Sequence, residues 1–511
     1  MFRKMMLALA ALFPATAQAQ WHEASSKHFI VYSDESPEKL TAFTEQLERF
    51  DQSLRMITGT PDKDVSPNLR VTVFTTANVD EIQKLAGSNK VAGFYQPRAS
   101  GPMAFVPRKT SGPLDAQSIL QHEYGHSFMF SSWPSAVFAP WFVEGFAEFV
   151  GTAFFRTDGS LIFGKPPEYR GYGMLEKSQV PAEQLLKLNP GKLTDLQSHI
   201  LYGRGWLLTH YSILGGHAVE LGNYIKLSNE GKAAEASLAF GSPAALDSKL
   251  NIYAKRASVP VITLTKDQVP AGKVSIRKLT PGEAATLPAR MASSRGVNDK
   301  QAAGVADLAR RLAAPYPNDA AAQNELAEAE FDAKNYAAAE AAADRVLAVD
   351  PKSIHALLYK GMAQMEIAKA AKDFSPERWK AIRAWFLKAN KLDTEYPQPL
   401  ILFYDSFEAQ GVPATENAQT GLLGAYVLAP FDTGLRYKAG KVLLEQDNAK
   451  AARVAFEPIA YGPHQSADNV SLKVVKALDD KGTKEALKVV TDAEAEAKKK
   501  EEEAKAKKKA A

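Results

Sequence analysis

The sequence predicts an α+β protein: a mixed sheet with a helical subdomain, followed by an all-α array of stacked helix pairs. Three observations predict this. Between residues 28 and 107, short apolar runs with strand alternation are interleaved with amphipathic helical spacing. His122-Glu123-Tyr124-Gly125-His126 then sets two histidines four residues apart in a segment with helical patterning. Further on, Pro317 and Pro351 lie 34 residues apart (351 − 317) and bracket two short helical patterns, a period that belongs to stacked helical repeats. A length of 511 residues is in keeping with more than one domain.

The elements follow in order. Arg3 and Lys4 precede an apolar run from Met5 to Phe13, and Ala17-Gln18-Ala19 fits a cleavage site. Residues 1–19 therefore read as a signal peptide, with Gln20 opening the mature chain. This predicts an exported, soluble protein, most simply periplasmic. The chain has no cysteine, which excludes disulfides, thiolate metal sites and a lipidated cysteine anchor. No later run approaches the ~18 apolar residues of a membrane span, so no integral membrane segment is expected. A net charge of +4, with no basic patch interleaved with aromatics, argues against nucleic acid as a partner.

His28 to Ser33 reads as a strand. Ser36-Pro37 offers an N-cap and a proline at the first helical position. Leu40, Phe43, Leu47, Phe50 and Leu54 then mark one buried helical face. Leu69, Val71 and Val73 alternate with polar residues as a strand, and a short helix follows. Val91 to Pro97 and Met103 to Pro107 read as paired strands around Ser100-Gly101. The histidine-bearing helix is expected from about Leu114 to Phe130.

In a helix, residues four apart share a face, so the His122 and His126 imidazoles can reach one metal ion. Glu123 between them can take a proton from a metal-bound water, which is the core of a zinc hydrolase site. A catalytic zinc needs a third protein ligand and one open position. Downstream stands Pro140-Trp141-Phe142-Val143-Glu144-Gly145-Phe146-Ala147-Glu148-Phe149.

This stretch resembles the second zinc-binding helix of the gluzincin metallopeptidases, the aminopeptidase N family and the wider peptidase MA-like group. The resemblance implies a thermolysin-like domain over residues 20–256, a bound Zn²⁺, and Glu144 as third ligand. Positions 127 to 143 separate it from His126, a loop one residue shorter than those aminopeptidases use. Glu148, one turn later, is either an alternative ligand or an acceptor for a histidine N–H. Leu201 to Tyr211 resembles a further helix of peptidase MA-like proteins, with Tyr202, Trp206, Leu208 and Tyr211 at the matching positions. The resemblance makes Tyr202 the donor to a tetrahedral oxyanion, with Tyr211 and His210 as weaker candidates. By the same analogy Pro102-Met103-Ala104-Phe105 is the sheet edge that pairs with an extended peptide. The Gly-x-Met-Glu-Asn motif of the aminopeptidases is absent, leaving only Gly101-Pro102-Met103-Ala104-Phe105. An endopeptidase is therefore expected.

Residues 257–298, rich in Pro, Val, Thr and Gly, read as a linker with short extended pieces. Residues 299–470 resemble tetratricopeptide repeats. Leu326 and Ala327 stand at the crossing of a first helix, while Tyr336, Ala339 and Asp350-Pro351 mark its partner. A second unit begins at Ile354 with Gly361, and its second helix, near Trp385, is displaced by an insertion. Pro430 and Pro463 bracket another unit, and Ala303 to Ala314 precede the first. Three to four helix pairs are expected, with a concave surface for a protein partner. Residues 471–511 end in alternating Lys and Glu blocks and read as a charged helical or disordered tail. The whole predicts a zinc-dependent peptidase acting on a peptide or protein substrate. The alternative is a non-catalytic interaction scaffold that retains a metal site.

Overall fold

The computed structural model describes residues 20–89, 91–109, 116–462 and 469–510. The expected signal peptide, Leu114 and Pro463 lie outside them. β1 (His22–Ser25) and β2 (Phe29–Ser33) form an antiparallel hairpin. α1 (Pro37–Thr58) follows with Ser36 as its N-cap, and it buries Leu40, Leu47, Phe50 and Leu54. β3 (Val71–Thr76) lies parallel to β2. After α2 (Val79–Ala86), β4 (Phe94–Gln96) and β5 (Met103–Pro107) pair antiparallel, and β5 runs parallel to β3.

The two helices carrying the expected ligands come next, α3 (Ala116–Ser132) and α4 (Pro140–Gly151). A small second sheet begins with β6 (Phe154–Phe155) and β7 (Leu161–Phe163). The helical subdomain comprises α5 (Gly171–Leu175), α6 (Ala182–Leu185), α7 (Asp195–Ile213), α8 (Ala218–Asn229), α9 (Ala233–Ala236) and α10 (Pro243–Ala254). One apolar core, including Phe50, Trp141, Phe149, Phe163 and Trp206, joins these helices to one face of the main sheet.

The segment expected as a linker with short extended pieces holds two short strands that join the sheets, and an unexpected helix. β8 (Ile262–Leu264) pairs with β7, and β9 (Ser275–Lys278) pairs with β1. The main sheet is therefore mixed and six-stranded, ordered β4-β5-β3-β2-β1-β9. α11 (Pro281–Ser294) lays Leu287 in the cluster of Tyr32, Phe74 and Phe105 on the sheet. Ser-Ile-Arg-Lys looks like linker because β9 is an edge strand, and its outward Arg277 bonds Glu23 and Glu283.

The edge assignment is also corrected. Pro102 to Phe105 leads into an internal strand, and the edge on that side of the sheet is β4. The physical reason is visible in composition: Met-Ala-Phe-Val-Pro is apolar throughout and buried along most of its length, as an internal strand requires. Phe-Tyr-Gln of β4 is half-buried.

The remainder is an array of stacked helices: α12 (Asp299–Ala313), α13 (Ala320–Asp332), α14 (Tyr336–Val349), α15 (Ile354–Ala370), α16 (Pro376–Leu392), α17 (Pro397–Gln410), α18 (Glu416–Leu428), α19 (Thr433–Glu445), α20 (Ala449–Ala460), α21 (Val470–Lys481) and α22 (Thr483–Ala510). With α11 these make six consecutive pairs among the described residues, against the three to four expected. Ala327, Ala339, Ala342, Ala343 and Ala356 are fully buried where helices cross. In two pairs a glycine admits a phenylalanine from the partner helix: a Cβ on Gly361 or on Gly440 would lie 2.5 Å from the ring of Phe386 or Phe456.

The tail expected from residue 471 begins later. Leu472, Val474, Val475 and Leu478 of α21 and Ala486 and Val490 of α22 share one apolar cluster with α19 and α20. Their apolar spacing is diluted by lysines, which hides the buried face in the sequence. Polar bonds tie the array to the sheet domain. Asp393 accepts from Ser66 Oγ (2.6 Å) and Asn68 Nδ2 (2.7 Å), and Tyr396 OH donates to the Ser100 carbonyl (2.9 Å).

Candidate metal centre

Three helices meet where side chains are missing. α3 approaches α4 through Gly125, where a Cβ would stand 2.6 Å from Val150 Cγ2. α4 and α7 cross through Gly145 and Gly205, where an added Cβ would strike the partner backbone directly. Close crossings of this kind need glycine because backbone cannot give way. α3 is further braced by Tyr124, whose hydroxyl donates to Asp51 Oδ1 (2.6 Å); Asp51 also receives Arg55. The motif's two middle residues thus hold the helix, while its outer residues face the site.

The structure brings His122, His126 and Glu144 together, with one donor atom from each inside a sphere of contacts no wider than 4.8 Å. His122 Nε2 and His126 Nε2 are 3.2 Å apart, and each is 3.6 Å from Glu144 Oε2. Zinc at ~2.0–2.1 Å from each donor in a tetrahedron asks for donor separations of about 3.3 Å. Two imidazoles and one carboxylate are the donor set of catalytic zinc sites that keep a fourth position open. The residues present therefore fit zinc. Glu144 is buried at 1 % exposure. Burial opposes charge on His122, but the hydrogen bond and charge of Glu144, with Glu148 and Glu123 nearby, outweigh it and raise the imidazole's pKa.

Glu148 does not join this triangle. Its Oε1 lies 4.0 Å from His122 Nδ1 and receives Arg170 Nε (2.9 Å) and Nη2 (2.7 Å); its Oε2 receives Tyr169 OH (2.6 Å). Glu148 thus stands beside the His122 ring, 4.0 Å from its Nδ1 and outside hydrogen-bond reach, with its oxygens taken by Tyr169 and Arg170. Arg170 also donates to His199 Nδ1 (3.0 Å) and stacks over the Tyr202 ring at 4.6 Å. Tyr169 and Arg170 sit in a 3₁₀ turn at Glu168–Arg170, and no sequence spacing marks them.

Tyr202 lies against the centre. Its ring stacks parallel to His122 at 6.4 Å. Burial first, then the charge and hydrogen bond of Glu144, raise its pKa and keep the phenol protonated. His210 and Tyr211 lie elsewhere. His210 bonds Tyr253 OH (2.9 Å) and the Gly164 and Pro260 carbonyls (3.1 Å each), and burial pushes its pKa down to about 4 despite those carbonyls. Tyr211 stacks on His217.

Glu123 and His126 line a cavity of about 250 Å³, which Tyr95 also faces. Tyr95 OH donates to Ser127 Oγ (2.7 Å), and burial raises its pKa. Tyr95 escapes a sequence reading because one tyrosine in a three-residue edge strand carries no pattern.

No family profile and no curated protein matches the chain. Among solved structures it is similar to a thermophilic TPR protein of Thermus thermophilus, at 13% identity and TM-score 0.31, over 36% of this chain and 93% of that one. It is also similar to the MamA RS-1 ArsTM double mutant, at 15% identity and TM-score 0.28, over 37% of this chain and 99% of the other.

Proposed function

We propose that the chain is a zinc-dependent hydrolase that cleaves peptide bonds, with Glu123 as general base. The observation that carries this reading is the triangle of His122, His126 and Glu144 donors with Glu123 in the adjoining cavity. His122, His126 and Glu144 would hold the zinc ion, which would supply an acidified water and polarise a carbonyl. Glu123 then accepts the water proton and returns it to the leaving amine. Tyr202, a neutral phenol beside Glu144, donates a hydrogen bond where the oxyanion forms. Glu148, itself fixed by Tyr169 and Arg170, lies on the Nδ1 side of His122 and would accept from that nitrogen once the ring turns onto the metal.

Glu123 is the sole carboxylate lining that cavity among the described residues. The lack of a Gly-x-Met-Glu-Asn motif before His122 favours an endopeptidase. The N-terminal reading favours export to the periplasm, and no helix among the described residues is long and apolar enough to cross a membrane.

The test is hydrolysis of a mixed peptide library by the purified protein and its Glu123→Gln variant. The variant should lose about 10²–10⁴-fold in rate while its zinc content is unchanged, and a chelator should silence the parent protein. Full activity in the variant would overturn the mechanism. A second reading, a non-catalytic scaffold that binds a protein partner, is favoured by the six stacked helix pairs. One bound zinc with no cleavage by the parent protein would select it.

A further inference from the structure

The cavity beside Glu123 has two walls from distant parts of the chain. Tyr95 and Phe130 form one, on β4 and α3 of the sheet domain. Phe431, Thr433 and Ile459 form the other, on α19, the turn before it, and α20. We propose that this cavity is a specificity pocket, shared between the two regions, that takes one large apolar side chain beside the bond to be cleaved. The inference rests on the hydrolase reading above and deepens it by naming the substrate class.

Two anchors set the distance between the walls. Asp432 caps α19 through Leu435 N (2.9 Å) and, with its other oxygen, accepts Ala99 N (2.8 Å) in the loop after β4. Arg436, one turn into α19, donates from Nη2 to the Pro134 carbonyl (2.6 Å) in the loop after α3. These are the two loops that follow the strand and helix bearing the first wall. The array therefore grips both sides of the cavity at its backbone, and the cavity's width is a property of the join.

The lining decides what fits. Arg436 is a buried cation in the wall, and besides Pro134 three more of its five donors go to the Pro430 and Val454 carbonyls and to Tyr426 OH. It is spent mainly on framing the pocket. Phenylalanine, isoleucine and proline side chains make up most of the surface away from Glu123. At about 250 Å³ the space falls below the ~300–1,000 Å³ of sites for whole small molecules, and suits a single side chain of phenylalanine or leucine size. Burying such a group in place of a hydrogen is worth roughly 10–100-fold in affinity.

Thr433 gives a clean test, because it is exposed at the first position of α19. Thr433→Trp fills the cavity from outside without crowding the core. Two readouts are taken on the full-length zinc-loaded protein: the cleavage preference over a peptide library, and calorimetric binding of phenylalanine hydroxamate against glycine hydroxamate. The parent protein should favour the phenylalanine compound roughly 10–100-fold and cut beside large apolar residues. Thr433→Trp should bring the two compounds to near parity and move cleavage to small residues, with zinc content unchanged. Phe431→Ala should do the opposite and admit tryptophan. No preference in the parent protein, or a preference that survives Thr433→Trp, would overturn the proposal. Selective binding lost in Thr433→Trp, without cleavage by any form, would leave the pocket standing and remove the hydrolase reading.

Discussion

Around the candidate metal centre, helices meet at single glycines that tolerate nothing larger: Gly125 against Val150, and Gly145 against Gly205 backbone. In the repeat array they meet mostly at alanines, with Ala327, Ala339, Ala342, Ala343 and Ala356 each fully buried, and where a glycine stands at a crossing, as at Gly361 and Gly440, it admits a phenylalanine side chain and not a backbone. The backbone-to-backbone crossing of α4 and α7 places specific donors. The alanine crossings recur from pair to pair and place none. The sheet domain also buries a network beside the histidine-bearing helix, in which Glu48 accepts the backbone N–H of His28 and a 2.8 Å bond from its Nδ1, while Tyr124 and Arg55 meet on Asp51. A metal site demands unique backbone approach and fixed charges, whereas a stacked array demands only a small residue at each crossing.

The comparison is sharpened by substituting alanine for glycine on both sides. Gly205→Ala drives a Cβ into the Trp141 carbonyl. It should cost about 3 kcal/mol, the upper range for overpacking, and weaken zinc binding as α4 shifts; a stable variant with full zinc affinity would break the account of the crossing. Acid titration should produce a smaller effect. Burial opposes charge on Asp62, but the Lys27 and Gln52 hydrogen bonds and the charges of His28 and Lys27 outweigh it and lower its pKa to about 2. A carboxylate depressed from 3.8 to about 2 lends stability that is full above the upper value and lost as pH falls through the lower one. The thermal midpoint should therefore fall between about pH 4 and pH 2, and Asp62→Asn should flatten that decline; an unchanged acid limb would remove this contribution. The smallest change is expected in the array. Gly304 lies inside α12 with open space where its Cβ would be, so Gly304→Ala should stabilise by about 0.5–1 kcal/mol. Destabilisation there, read by denaturant unfolding, would mean that the array is as tightly specified as the metal centre.

The parts legible in the sequence are those written locally. His122, Glu123 and His126 lie within five residues, and helical period alone puts the two imidazoles on one face. Ser36-Pro37 announces α1, and the 34-residue spacing announces the array. What stays hidden depends on distant partners. β9 finds β1 some 250 positions away, and its Ser-Ile-Arg-Lys has too little apolar content to read as a strand. β5 reads as an edge by analogy, although its unbroken apolar run marks an internal strand. Tyr169 and Arg170 reach Glu148 from an irregular turn, and the wall formed by Phe431 and Thr433 exists only once the array has docked. In all these cases the chemistry is set by tertiary neighbours that no short window contains.

The central claim is that His122, His126 and Glu144 hold a zinc ion while Glu148 supports from behind. The most direct measurement is zinc affinity, by competition with a chromophoric chelator, for the parent protein, Glu144→Ala and Glu148→Ala. The account predicts about one zinc per chain in the parent protein, a loss of about 10–100-fold for Glu148→Ala, and a larger loss for Glu144→Ala. Zinc retained in Glu144→Ala but lost in Glu148→Ala would contradict it and exchange the two roles.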